Sequence, residues 1–141
     1  GAKAQSGFQL QTNMTKEILN ELGKNILDAC IAVHKELGPG LLESVYVYAL
    51  LKELELRKIK AVRNLSIPLL YKGFDTGKHY EMDLLVENEI VIEIKSAESM
   101  HPVYLAQIIS YLKLSDKRLG YLVNFNVVKM IEGFKRVVNN F

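Results

Sequence analysis

The sequence has a single cysteine, Cys30, so no internal disulfide can form. That excludes a disulfide-framed secreted scaffold and points to a reducing, cytoplasmic setting. No apolar run approaches the ~20 residues a membrane-spanning helix needs. No internal repeat or low-complexity linker divides the chain. Charge of neither sign dominates: 18 Lys and Arg against 16 Asp and Glu leave a formal +2. That balance neither demands nor excludes nucleic acid, because binding depends on where charge clusters. There is no Cys/His set with zinc spacing, no phosphate-cradling glycine loop and no nucleophilic triad. His34, His79 and His101 lack paired metal-ligand spacing, and Cys30 reads as a small buried apolar residue.

What is present is ordinary globular composition: 141 residues, 49% apolar and 24% charged, enough for one core. Residues 1–13 are small and polar and read as a tag or disordered N-terminus, with Met14 as the native start. The remainder, 14–141, reads as one domain. Ile18, Leu22, Ile26 and Cys30, with Leu19, Ala29 and Val33 beside them, form an apolar helical stripe that begins near Thr15 and stops at Gly38-Pro39-Gly40. A second helix is expected over about 41–58. Extended segments follow at 61–71, with Pro68 marking an edge or bulge, at 79–86 and at 89–95. Lys72-Gly73 is a turn. A third helix is expected over 103–114, then strands at 120–124 and 134–138. This is an α/β (α+β) architecture, a mixed sheet flanked by helices in the order α-α-β-β-β-α-β.

Asp83, Glu93 and Lys95 are polar residues in strands otherwise filled by Leu, Val and Ile. Alternation puts Ile90, Ile92 and Ile94 on one face, and Val91, Glu93 and Lys95 on the other. Pairing Val86 with Ile90 joins the apolar faces: Leu84 meets Ile92, and Met82 meets Ile94. The same register sets Asp83 opposite Glu93, and Glu81 opposite Lys95. It requires a three-residue loop, Glu87-Asn88-Glu89, with Asn88 left-handed. Opposed carboxylates repel, and a divalent cation between them reverses that sign. The alternative is a surface salt bridge from Lys95 to Asp83 or Glu93.

These residues resemble the PD-(D/E)XK nuclease superfamily, through Asp83 with Glu93-Ile94-Lys95. The segment from His34 to Tyr46 is similar to the signature of its GxxExxY proteins, with Gly40, Glu43 and Tyr46 at the name-giving positions. Ala106-Gln107 through Ser110-Tyr111-Leu112, and Gly120-Tyr121-Leu122-Val123-Asn124-Phe125-Asn126, extend the match, which runs from about Ile18 to Val138. One departure is Met82, where the motif has Pro. The resemblance implies a restriction-endonuclease-like core and Mg²⁺-dependent hydrolysis of phosphodiesters in nucleic acid, DNA favoured, with Mn²⁺ as a substitute. It also implies Asp83, Glu93 and Glu43 as metal ligands, Lys95 as the catalytic lysine, and Gln107 with Tyr111 as a supporting Q-x-x-x-Y motif.

Glu43 lies three residues before Tyr46, so helical spacing turns its carboxylate inward, where it is costly unless paired or coordinated. The alternative is a solvated helix-terminal acid stabilised by the dipole. Gln107 and Tyr111 share a helix face; the amide can hold a water or phosphate, while the Tyr111 ring packs on the sheet. The Tyr46 ring packs and its hydroxyl finds one partner. Arg57, Lys58, Lys60 and Arg63 form a run without an acid, suited to a phosphate backbone or to a solvated helix end. Two rival readings stand beside a nuclease: a non-catalytic module that binds nucleic acid or protein, and a structural homodimer.

Overall fold

A computed structural model describes residues 14–141, and the reading of 1–13 as a tag lies outside the described residues. Helix α1 (Lys16–Leu37) is capped by Thr15, whose hydroxyl accepts from the Ile18 N–H at 3.1 Å. Its buried stripe is Leu19, Gly23, Ile26, Ala29, Cys30 and Val33, while Ile18 is exposed. Leu19, Ile26, Ala29, Cys30 and Val33 are buried as the stripe requires, and only its first member, Ile18, faces out. Gly23 belongs to it because the Tyr121 ring lies where a Cβ would stand. Gly38 and Gly40 take left-handed φ values of 70° and 93° and turn the chain into helix α2 (Glu43–Leu56).

Five strands follow in spatial order: β1 (Ala61–Tyr71), β2 (Phe74–Val86), β3 (Ile90–Lys95), β4 (Leu119–Asn124) and β5 (Phe134–Val138). The β3–β4 pair is parallel and the others are antiparallel. Helix α3 (Pro102–Ser115) makes the crossover that a parallel pair requires. A short 3₁₀ turn, Met130–Gly133, precedes β5. The sheet divides the core. Helices α1 and α2 cover Leu84, Val86, Ile90, Ile92 and Ile94. Helix α3 covers Met82, Leu85, Val91 and Leu122 on the other side. No helix among the described residues is long and apolar enough to cross a membrane.

The β2–β3 register is the expected one: Val86↔Ile90, Leu85↔Val91 and Leu84↔Ile92. The loop has three residues, but Glu87 joins Asn88 in the left-handed region, at φ 51° and 59°. Glu87 is held there from both ends: its N–H donates to the Lys60 carbonyl at 2.8 Å, and its carboxylate accepts from the Lys60 N–H at 2.9 Å.

Two expectations about β2 are corrected. It begins at Phe74, not at residue 79, because β1 and β2 form a long hairpin closed at Lys72-Gly73. Second, Met82 does not share a face with Leu84 and Val86; it packs on the α3 side. The alternation breaks at Asp83. Asn64, facing Asp83 across the hairpin, is left-handed at φ 57°, and the pairing skips this position between Arg63↔Leu84 and Leu65↔Met82. Such local irregularities re-aim side chains at strand positions. Pro68 marks a true register shift, between Pro68 and Leu70.

Candidate functional site

The ladder between β2 and β3 stops at Leu84↔Ile92. Beyond it, two carboxylates take the place of backbone partners. The Asp83 N–H donates to Glu93 Oε2 at 2.9 Å, and the Ile94 N–H donates to Asp83 Oδ2 at 2.8 Å. Side-chain oxygens thus hold the strands together where the main chains have parted. Asp83 and Glu93 meet as the register required. Glu93 is 4% exposed, inside the sheet.

Both carboxyls are raised above the usual carboxylate range. Burial is the main cause for Glu93, followed by the Asp83 charge; the Asp83 N–H and the Lys95 ammonium act the other way, and the value lies at about 8. Asp83 is raised by burial first and also by Glu43, against the Ile94 N–H and Lys95. Two acids crowded in low dielectric hold a proton longer than either would in water.

Lys95 ends β3 on the same side. Its ammonium lies 4.5 Å from the centroid of the Tyr104 ring, in the first turn of α3. Among the described residues Lys95 forms no ion pair with either acid, so the salt-bridge alternative is not what the structure holds. Nor does Glu81 pair with Lys95; the ladder has opened, and Glu81 approaches His79 at 4.0 Å instead.

Glu43 opens α2 and reaches the end of β3 from the other side of the sheet. Its Oε2 lies 3.4 Å from the Ser96 N–H, a long contact, and its charge is felt at Asp83 and Glu93. It is exposed, not turned inward as expected, because it is the first residue of the helix and the chain enters past it through Leu42. The loop before it is clipped by Tyr46. This hydroxyl donates to the Gly38 carbonyl and accepts from the Leu41 N–H at 3.1 Å, two partners where one was expected. The Tyr46 ring stacks on Phe125 at 4.5 Å.

Tyr111 packs edge-on against Tyr80 at 4.8 Å. Burial, then the Glu93 charge, pushes its hydroxyl up to about 12, so it stays protonated. Gln107, half-buried, lies between Tyr104 and Tyr111 on the α3 face turned toward the acids, and among the described residues it makes no hydrogen bond. A groove lined by Gly40, Leu41, Leu42, Val45, Ser96 and Asn126 opens beside Glu43.

Of the cation run, Lys58 and Lys60 lie away from this place, whereas Arg63 pairs with Leu84, one residue from Asp83. Ala61 is level with Val86 and hence with the start of β3, whereas Lys95 ends it. Arg57 is also engaged by Glu53 at 2.9 Å. His34 bonds the Val127 carbonyl at 2.8 Å, and the Cys30 thiol is pushed up by burial. Two contributors escaped the sequence reading. Tyr104 was readable as the residue three before Gln107 on one helix face. Asn124 stands in the matched segment from Gly120 to Asn126, but its role did not show there: its buried amide brackets the loop after Lys95, accepting from the Ala97 and Asn126 N–H groups and donating to the Ala97 carbonyl.

The family model of the PD-(D/E)XK nuclease superfamily matches residues 20–137. The chain belongs to that superfamily. No curated protein and no solved structure matches it. The superfamily's nucleases generally use divalent metals and act on nucleic acid. The donor set here suits such an ion in kind: carboxylate oxygens are hard ligands, and the buried Glu93 and half-buried Asp83 have no cationic partner at bonding distance among the described residues. It is not gathered into a finished cage, since no group of three or more His, Cys, Asp or Glu converges among the described residues. Glu43, exposed at the helix start, makes only the long contact with the Ser96 N–H among the described residues.

Proposed function

We propose that this PD-(D/E)XK domain is a Mg²⁺-dependent nuclease of the GxxExxY type that hydrolyses phosphodiester bonds, with DNA as the favoured substrate. The observation that carries the reading is the meeting of Asp83 and Glu93 across an opened ladder, with Lys95 two residues on. Two acids placed against each other, one buried and one half-buried, destabilise the protein when ionised unless something cationic binds them. Asp83, Glu93 and Glu43 hold the ion, with Mn²⁺ as a substitute. Bound there, it would polarise the phosphate and lower the pKa of water. The Lys95 ammonium orients the attacking water and balances negative charge growing on the phosphate. Tyr104 keeps that ammonium over its ring, and the Gln107 amide steadies the water from α3. Tyr111 packs against Tyr80 on the α3 side and its hydroxyl stays a donor.

Lys95→Ala is expected to lower cleavage of DNA by at least about 100-fold while the thermal midpoint stays close to the parent's. Asp83→Asn and Glu93→Gln are expected to lose cation binding as well, read by calorimetric titration with Mn²⁺. Full cleavage by Lys95→Ala would reject the assignment. A second reading has its own support: each acid already has a backbone N–H donor, so the pair can persist as architecture in a non-catalytic binding module. Nucleic acid bound without turnover, over DNA and RNA and with Mg²⁺ or Mn²⁺ present, would favour it.

A further inference from the structure

Beyond Leu84↔Ile92, strands β1 and β2 continue alone as a two-stranded ribbon, residues 65–71 with 74–82. Continuing the register sets residue 81 level with Lys95. The ribbon therefore runs past the end of β3 on the side of the carboxylates and Lys95. Its base is anchored: Ile67 is buried and Tyr80 packs on Tyr111 of α3. Its tip is not. Lys72 and Gly73, at φ 50° and 84°, close a two-residue turn, and Tyr71 and Phe74 are direct cross-strand partners. Their rings therefore stand on one face, 65% and 74% exposed. The Lys72 ammonium lies 5.6 Å from the Tyr71 ring centroid.

We infer that this tip is a stacking platform for unpaired bases of a single-stranded nucleic acid whose backbone runs down the ribbon to Asp83 and Glu93. The inference rests on the nuclease reading for the direction of the strand. Exposed rings offer π-faces that any base can meet, and stacking needs a base free of its duplex. A lysine at the apex supplies a phosphate partner, and Lys78 supplies a second, exposed, further down the ribbon. A second copy of the chain is the weaker occupant. Two aromatic rings bring at most about 500 Å², short of the ~800 Å² per partner of a stable interface. From Phe74 to Asp83 is about 30 Å at ~3.3 Å per residue. A single strand therefore needs several nucleotides, about nine at most if it keeps the duplex rise of ~3.4 Å, to touch both ends.

The test uses the absence of tryptophan from the sequence. Phe74→Trp in a Lys95→Ala background places one fluorophore at the tip with cleavage silenced. Titration with a 12-mer of thymidylate is expected to quench it, and a blunt 12-bp duplex is not. Anisotropy of the labelled 12-mer is expected to show a loss of about fivefold to a hundredfold for Tyr71→Ala or Phe74→Ala, with Tyr71→Phe retaining affinity. With Lys95 intact, Tyr71→Ala should impair cleavage of the 12-mer and not that of a 4-mer. An unchanged affinity in both alanine variants overturns the platform. So does fluorescence that follows protein concentration alone, with a dimer in sedimentation, which assigns the tip to a second copy. If the 12-mer quenches while the parent with Mg²⁺ cleaves nothing, the platform stands and the nuclease reading fails. If the parent cleaves and both alanine variants bind and cleave as it does, the reverse holds.

Discussion

Glu93 sits in a strand among Ile90, Val91, Ile92 and Ile94, all fully buried. An ionised carboxylate is costly there, and the folded protein answers by keeping the proton longer than the unfolded chain does. The folded value, about 8, lies above the ordinary one of 4.5. The stabilisation is therefore complete below the ordinary carboxylate range and is lost as pH rises through the folded value. In the absence of divalent cations the thermal midpoint is expected to fall between about pH 5 and pH 8 by this route. Glu93→Gln is expected to flatten that slope and gain about 1–2 kcal/mol at pH 8, or about 3–8 °C. Added Mg²⁺ should reverse the order, raising the parent's midpoint at pH 8 and leaving the variant's unmoved. Scanning calorimetry across the pH range, with and without Mg²⁺, measures both. A parent midpoint that rises with pH without a cation would contradict the raised carboxyls.

At the scale of elements, much was readable because it follows from local rules. Thr15 caps, Gly38-Pro39-Gly40 stops, and the apolar faces around residues 86 and 90 fix a register that a one-residue slip would ruin. The meeting of Asp83 with Glu93 follows from that register alone. What stayed hidden depends on pairs distant in sequence. Met82 changes sides where Asn64, eighteen residues earlier, turns left-handed opposite Asp83. Glu43 is exposed because the chain entry, not helical period, decides the first turn. The reach of β2 back to Phe74 was masked by Asp75-Thr76-Gly77, which reads as a loop and is a bulged strand held by Asp75 and Thr76 side chains. Tyr46 shows the same dependence, since one hydroxyl sets the approach of an entire helix. Tyr46→Phe keeps the stack on Phe125 but leaves the Gly38 carbonyl and the Leu41 N–H without this partner. A loss of about 1–3 kcal/mol in denaturant unfolding is expected. Mn²⁺ affinity should fall with it, because Glu43 follows directly on the loosened loop. Unchanged affinity would detach Glu43 from the metal set.

For the whole molecule, a net charge of +2 says little until the cations are placed. Several are already engaged: Arg57 by Glu53, Arg118 by the Met14 carbonyl and by Glu89, and Arg136 by Asn20. On the proposed path, Lys72 marks the ribbon tip, Lys78 lies along the ribbon and Lys95 ends β3 beside the carboxylates, while Lys58 and Lys60 stand at the far, hairpin end of β3. Neutralising a phosphate releases a counterion, so the salt dependence of binding reports how many lysines take part. Three contacts with a single strand give a slope of about −2 in log K against log salt. Lys72→Gln is expected to reduce it by about 0.7, and Lys58→Gln with Lys60→Gln to leave it unchanged. Fluorescence anisotropy from low to moderate salt measures the slope for each variant. The opposite ranking would move the phosphate path to the hairpin end, onto the run from Arg57 to Arg63, and would require the substrate to wrap the sheet before it reached Lys95.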